Sequence, residues 1–308
     1  MGGRADGREG TLCPVFSHPA CFEHSAGSGH PEAPARLQAI KARITASDPA
    51  SWRSAYPASA TPILRVHPAE YLDSLEAFIG QGGGHLDADT VANARSWDAA
   101  LGAVGAALAA VHSSLEGQPA FAAVRPPGHH ALADRPMGFC LLGNIVIAAR
   151  EAQALGAERV LIADWDVHHG NGTQALVQSD PSIHFVSMHQ WPHWPFSGAA
   201  IERGIGNVFN LPMRAGLAPE RYLEAFWGGV VAATNGWRPD AILISAGFDS
   251  MQGDLLGGFT LEPAHFAQWV GRFRATFPDA PIAALLEGGY VPSRLADGVL
   301  AVAEALGG

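Results

Sequence analysis

A chain of 308 residues with 48% hydrophobic and only 16% charged side chains has material for a sizeable core, and its composition is not that of a disordered segment. Its formal charge of −10 argues against a nucleic-acid partner, because phosphate contacts need clustered lysine and arginine. The cysteines, Cys13, Cys21 and Cys140, stand far apart with no CxxC pair, which suits a reducing compartment better than a disulfide framework.

Residues 1–10 are polar and glycine-rich without an apolar signal core, so a flexible N-terminus is expected ahead of a single domain over 11–308. A strand is expected at Leu12–Ser17, followed by helices at Pro34–Ala46, Ala69–Ile79 and Ser96–Leu115. The longest apolar tract, Ala99–Val111 within the last of these, is too short and too rich in Ala and Gly to span a bilayer, so no membrane partner is expected and the chain reads as cytoplasmic. Strand Phe121–Val124, helix Asn144–Leu155, and strands Val160–Ala163 and Ile183–Ser187 come next. Helix Pro219–Asn235, strand Ala241–Ser245, helix Pro263–Phe277 and strand Ile282–Leu286 complete the pattern. Strands alternating with helices, with no linker or internal repeat, predict one α/β domain around a mostly parallel sheet.

In such sheets ligands collect beyond the carboxyl ends of the strands. Four strand ends here deliver chemistry to that rim. Arg125-Pro-Pro-Gly-His129-His130 follows one, and Asp164-Trp-Asp166-Val-His168-His-Gly-Asn171 follows another. Gly247-Phe-Asp249 and Glu287-Gly-Gly-Tyr290 follow the remaining two. On an extended backbone side chains alternate faces, so Asp164, Asp166 and His168 are expected to project together from one edge. Asp166, His168 and Asp249 supply two oxygens and a nitrogen, the count a catalytic metal with an open position needs. The bland alternative is that Asp166 and His168 merely pair with each other. Adjacent His129 and His130 suit general acid–base work, with Asp164 and Asn171 as partners for their other ring nitrogens. Tyr290 is either a core tyrosine or a donor to a developing oxyanion. Phe139, Trp194, Trp191 and Phe196 sit in loops after strands, where aromatics wall narrow slots or pack lids; lid packing is favoured for Trp191 and Phe196.

Taken together, His30-Pro-Glu32 with Arg36, Arg125–Ala131, Gly138-Phe139-Cys140 with Asn144, Asp164–Thr173, Ser245–Asp249 and Glu287–Tyr290 resemble the zinc-dependent histone deacetylase family, particularly its class II-like bacterial amidohydrolases. The resemblance implies the arginase–deacetylase fold, with a central sheet of about eight strands flanked by helices. It implies zinc held by Asp166, His168 and Asp249, His130 as the base acting on the attacking water, and His129 as its electrostatic partner. Tyr290 would stabilise the oxyanion, Asp164 would orient His129, and Asn171 would orient His130, where some members carry aspartate. Phe139 and Trp194 resemble the aromatic walls of an acyl-lysine tunnel, and Gly138 would offer a carbonyl to the substrate amide. A structural potassium is implied near Asp164, Asp166, His168, Ser187 and Met188.

The expected substrate is an acyl-lysine peptide or a small acylated amine. Acetylpolyamine deacetylases share the core motifs. Leu256 stands where related polyamine enzymes carry a glutamate gatekeeper, which favours acyl-lysine, while nearby Asp254 is the competing carboxylate. An acyl-lysine binder without turnover is opposed by the retention of Tyr290, both histidines and all three ligands. A two-manganese ureohydrolase is opposed by the want of further carboxylates.

Overall fold

The computed structural model describes residues 12–308, so the expected flexible segment 1–10 lies outside it. Chain order is β1 (Val15–Ser17), α1 (Ala35–Ser47), β2 (Trp52–Ser54), α2 (Ala60–Ile63), α3 (Ala69–Gly80), β3 (Gly83–His85), β4 (Val91–Asn93), α4 (Ser96–Leu115) and β5 (Ala120–Ala122). There follow α5 (Asn144–Ala154), β6 (Val160–Asp164), α6 (Asn171–Val177), β7 (Ile183–Gln190), β8 (Val208–Met213), α7 (Pro219–Thr234), β9 (Ala241–Ala246), α8 (Pro263–Thr276), β10 (Ile282–Leu286) and α9 (Pro292–Gly307). Eight strands form one parallel sheet in the order β2-β1-β5-β10-β9-β6-β7-β8, and β3–β4 form a separate small hairpin. The fold is a single α/β domain with the expected eight-stranded sheet.

Burial explains which strands take the middle. Every residue of β6, β9 and β10 is buried, as unbroken Val, Ile, Leu and Ala runs require when helices cover both faces. Helices α4, α5 and α6 pack successively as one layer, while α1, α9, α8 and α7 pack successively as another. The expected apolar tract grows into α4, a helix of 20 residues long and apolar enough by length and hydropathy to cross a membrane. Yet 67% of that stretch is buried within the fold, where its Ala and Gly residues let it lie against β1, β5 and α5.

Both edge strands and the helices α2, α6 and α9 lie outside the elements expected from the sequence. Strand β2 is Trp-Arg-Ser, three residues with two exposed, too short and polar for a periodicity to register. Strand β8 carries Asn210 and Pro212, and an edge tolerates proline because one side of the strand needs no donor. The C-terminal α9 is amphipathic and buries seven side chains and Gly298, yet is not among the expected elements; α2 and α6 are short.

Register levels the strand ends. Asp164 of β6 pairs with Ser187 of β7 and Ser245 of β9, and Leu286 of β10 pairs with Ala246. The segments that follow these strands therefore leave from one rim.

Candidate active site

Strand β6 ends at Asp164, so alternation stops before it can align Asp166 and His168. Two consecutive side-chain turns gather them instead. Asp164 Oδ1 accepts the N–H of Asp166 at 3.0 Å, and Asp166 Oδ1 accepts that of His168 at 2.8 Å. Asp249, just after β9, accepts the N–H of Val167 at 2.9 Å through Oδ1. Its Oδ2 lies 3.1 Å from His168 Nδ1, which is 3.2 Å from Asp166 Oδ1. The two-residue pairing left open by the sequence is thus part of a three-residue set.

Candidate ligand atoms of Asp166, His168 and Asp249 all lie within 4.8 Å of one another, and all three residues are buried. Gly288 makes room for them: a Cβ there would stand 2.0 Å from Asp249 Oδ2 and 2.6 Å from Asp166 Oδ2. Its N–H donates to Asp166 Oδ2 at 2.8 Å. Burial and the Asp166 carboxylate push Asp249 up to about 7, the cost of placing two carboxylates together in a dry site. A divalent cation relieves that conflict, and two carboxylate oxygens with one imidazole nitrogen are donors zinc accepts. The residues fit a metal.

His129 and His130 lie beside this set, their ring centroids 3.9 Å apart. His129 Nδ1 is 3.0 Å from Asp164 Oδ2, and His130 Nδ1 is 2.7 Å from Asn171 Oδ1. Glu287 Oε2 fixes their loop by accepting the N–H groups of Gly128 at 2.8 Å and His129 at 3.1 Å. Burial opposes charge on His129, but the carboxylates of Asp166, Asp164 and Glu287 prevail and raise it to about 10. Burial, followed by the positive fields of His129 and His168, holds His130 well below the usual imidazole range. An amide oxygen only accepts, so Asn171 places the proton of neutral His130 on Nδ1 and leaves Nε2 free as a base.

A cavity of about 540 Å³ opens over these groups. His130, His168, Gly138, Phe139, Trp194, Leu256 and Tyr290, all singled out from the sequence, line it. Gly138 has a φ of 55°, and a Cβ there would come within 2.5 Å of Trp194 and 2.6 Å of His130, so only glycine fits. Phe139 also has a positive φ, 67°, which costs an L-residue about 1–2 kcal/mol. The Trp194 ring meets His130 edge-on at 4.7 Å. Phe196 is 72% exposed, and neither it nor Trp191 lines the cavity.

Asp89, His193 and Leu255 also line the cavity, and sequence reasoning missed all three. His193 stacks on His168 at 5.1 Å, and its Nε2 lies 3.0 Å from the Leu256 carbonyl oxygen, linking two loops of the rim. Asp89 belongs to a second Asp-x-Asp pattern, Asp87-Ala88-Asp89, which was the available signal. Asp254, the carboxylate set against Leu256 in the sequence reading, faces backbone instead. It accepts the N–H of Tyr290 at 2.7 Å and that of Leu256 at 3.0 Å.

Tyr290 is 6% exposed and approaches Phe139 at 6.0 Å in a T-shaped contact. Burial, then the Asp249 carboxylate, raises its phenol well above the ordinary value, so it is a neutral O–H donor. Arg36 lies 5.0 Å from its ring centroid and donates to the carbonyls of Gly289 at 2.6 Å and Glu287 at 2.5 Å. Behind it, Glu32 binds Arg36 at 3.0 Å and Arg125 Nη2 at 2.6 Å, with His24 Nε2 3.4 Å away.

This rim and the fold beneath it define a deacetylase-type amidohydrolase: the histone deacetylase domain model matches residues 30–306, and the chain belongs to that family. An uncharacterised protein of Synechocystis is 42% identical over 91% of this chain and 94% of its own. The histone deacetylase-like amidohydrolase of Pseudomonas aeruginosa is 36% identical over 92% of this chain and 78% of its own. The crystal structure of the HDA15 HD domain superposes with a TM-score of 0.91 at 33% identity, covering 96% of this chain and 88% of that one.

Proposed function

We propose that this chain is a zinc-dependent deacylase that removes acetyl or related acyl groups from lysine-type amines. The observation that carries the reading is the buried Asp166–His168–Asp249 set beneath a cavity walled by Phe139 and Trp194. Bound there, zinc would supply Lewis acidity to the acyl carbonyl and acidity to the attacking water. The implied potassium would be held close by, at Asp164, Asp166, His168, Ser187 and Met188. The sparse, buried cysteines support placing the protein in the cytoplasm.

His130 Nε2 takes the proton from water as oxygen attacks the acyl carbon. Tyr290 donates to the oxygen on which negative charge develops, and the Gly138 carbonyl receives the substrate N–H. Protonated His129, oriented by Asp164, contributes positive charge as the tetrahedral centre forms. A protonated histidine then delivers a proton to the amine nitrogen, the C–N bond breaks, and carboxylate and amine depart.

Leu255 and Leu256 give the mouth an apolar side, which favours the stem of an acyl-lysine. Asp89 favours a second reading, an acylated polyamine whose distant ammonium meets that carboxylate. The test is turnover by zinc-loaded and chelator-treated protein of an acetyl-lysine peptide, a longer acyl-lysine peptide and acetylated polyamines. We expect peptide turnover that chelation abolishes and zinc restores. Faster polyamine turnover supports the second reading, and tight peptide binding without turnover would mark an acyl-lysine binder.

Asn171→Asp tests the proton arrangement. A carboxylate at His130 Nδ1 stabilises the imidazolium and raises its pKa. Because His130 acts as the neutral base, the acidic limb of the kcat/KM profile should move to higher pH. An unmoved limb would remove His130 from the role.

A further inference from the structure

Met137 and Cys140 exchange backbone hydrogen bonds of 3.1 and 2.9 Å, closing a two-residue turn over Gly138 and Phe139. Both central residues have positive φ, 55° and 67°. Turns of that kind favour Asn-Gly or Gly-Gly, so a phenylalanine at the second position needs an external hold. The Phe139 N–H donates to Thr90 Oγ1 at 3.1 Å. Thr90 is 0% exposed, and its own N–H donates to Asp87 Oδ1 at 2.6 Å. Its hydroxyl hydrogen is directed to Asp89 Oδ1 at 3.3 Å, which leaves an oxygen lone pair for Phe139. His30 completes the support, its ring meeting Phe139 edge-on at 4.7 Å and its Nε2 lying 3.2 Å from the Asp89 carbonyl oxygen.

We infer that Thr90 is a positioning residue for this site: its hydroxyl holds the Phe139 amide and thereby fixes the aromatic wall that selects the acyl chain. Thr90 does not line the cavity and reaches it through its neighbours, holding the Phe139 amide and meeting the Asp89 carboxylate. The inference rests on the deacylase reading for its kinetic consequence, but not for its structural one.

The test compares Thr90→Val, which keeps the shape but loses the acceptor, with Thr90→Ser, which keeps the acceptor. For acetyl-lysine peptide, Thr90→Val should lower kcat/KM about tenfold, the size of one lost hydrogen bond, chiefly through KM. Its preference between acetyl and longer acyl chains should narrow, and Thr90→Ser should stay within about twofold of the parent. Independently of turnover, amide hydrogen exchange at Phe139 should quicken in Thr90→Val and remain slow in Thr90→Ser. Unchanged exchange in Thr90→Val overturns the inference, as does equal impairment of the two variants, which would mean packing alone. Faster exchange in a protein that hydrolyses none of these substrates upholds the positioning and sinks the deacylase reading instead.

Discussion

Replacing Tyr290 with phenylalanine is expected to lower kcat by roughly 10²–10³ with little change in KM, the usual loss when one donor to a developing oxyanion is removed. The ring's packing should survive the change. Phe139 and Arg36 contact the aromatic face or edge, and Asp254 holds the backbone N–H rather than the phenol. Only the hydroxyl is lost, so the variant separates chemistry from architecture. The phenol stays protonated because burial and the Asp249 carboxylate both oppose its ionisation. Steady-state kinetics on parent and variant with matched metal content measure the effect. A kcat within a few-fold of the parent would assign oxyanion stabilisation to other groups and leave Tyr290 as packing.

The second large effect concerns stability. Glu32 is fully buried between Arg125 and Arg36 with His24 beside it, and Glu32→Ala is expected to cost about 3–5 kcal/mol. Most of that comes from two guanidinium groups left without their carboxylate in a dry site. Arg36 also holds the carbonyls of Glu287 and Gly289, so loosening it should disturb the turn that carries Tyr290 and reduce activity as well. Chemical denaturation measures the change as a lower midpoint at an unchanged m-value. A midpoint near that of the parent would show that the arginines find other partners.

The pH dependence of that cluster has a definite sign. Burial alone would raise the Glu32 carboxyl, but Arg125 and His24 outweigh it and hold it well below the usual carboxylate range. A depressed folded-state pKa contributes stability above the unfolded value, and that contribution is lost as pH falls through the folded value. Stability that Glu32 provides should therefore be complete above the range in which exposed carboxylates titrate and be lost progressively as pH falls from that range through the folded-state value.

Several features could be read along the chain because each is a local pattern. Continuous Val, Ile, Leu and Ala runs announced the six strands at and around the centre of the sheet, since strands covered on both faces have no polar side to break the run. Titratable residues after four of those strands announced the rim, and each of the three metal candidates sits in such a segment. His129 and His130 were legible as a pair for the same reason.

What the tertiary structure alone decided is how those segments turn and what they meet. Alternation could not carry Asp166 and His168 to the site, because β6 stops at Asp164; successive side-chain-to-backbone bonds do so. Edge strands β2 and β8 carry too little apolar pattern to announce themselves, and their places come from neighbours. Asp254 looked like the carboxylate of the mouth, but the Tyr290 and Leu256 amides turn it inward. Asp89, distant in the chain, takes that place. The sequence by itself determined the α/β architecture, the residues at the strand ends and the family. The cavity's walls, its single-sided carboxylate and the support behind Phe139 depended on backbone hydrogen bonds between remote loops, whose partners no local periodicity encodes.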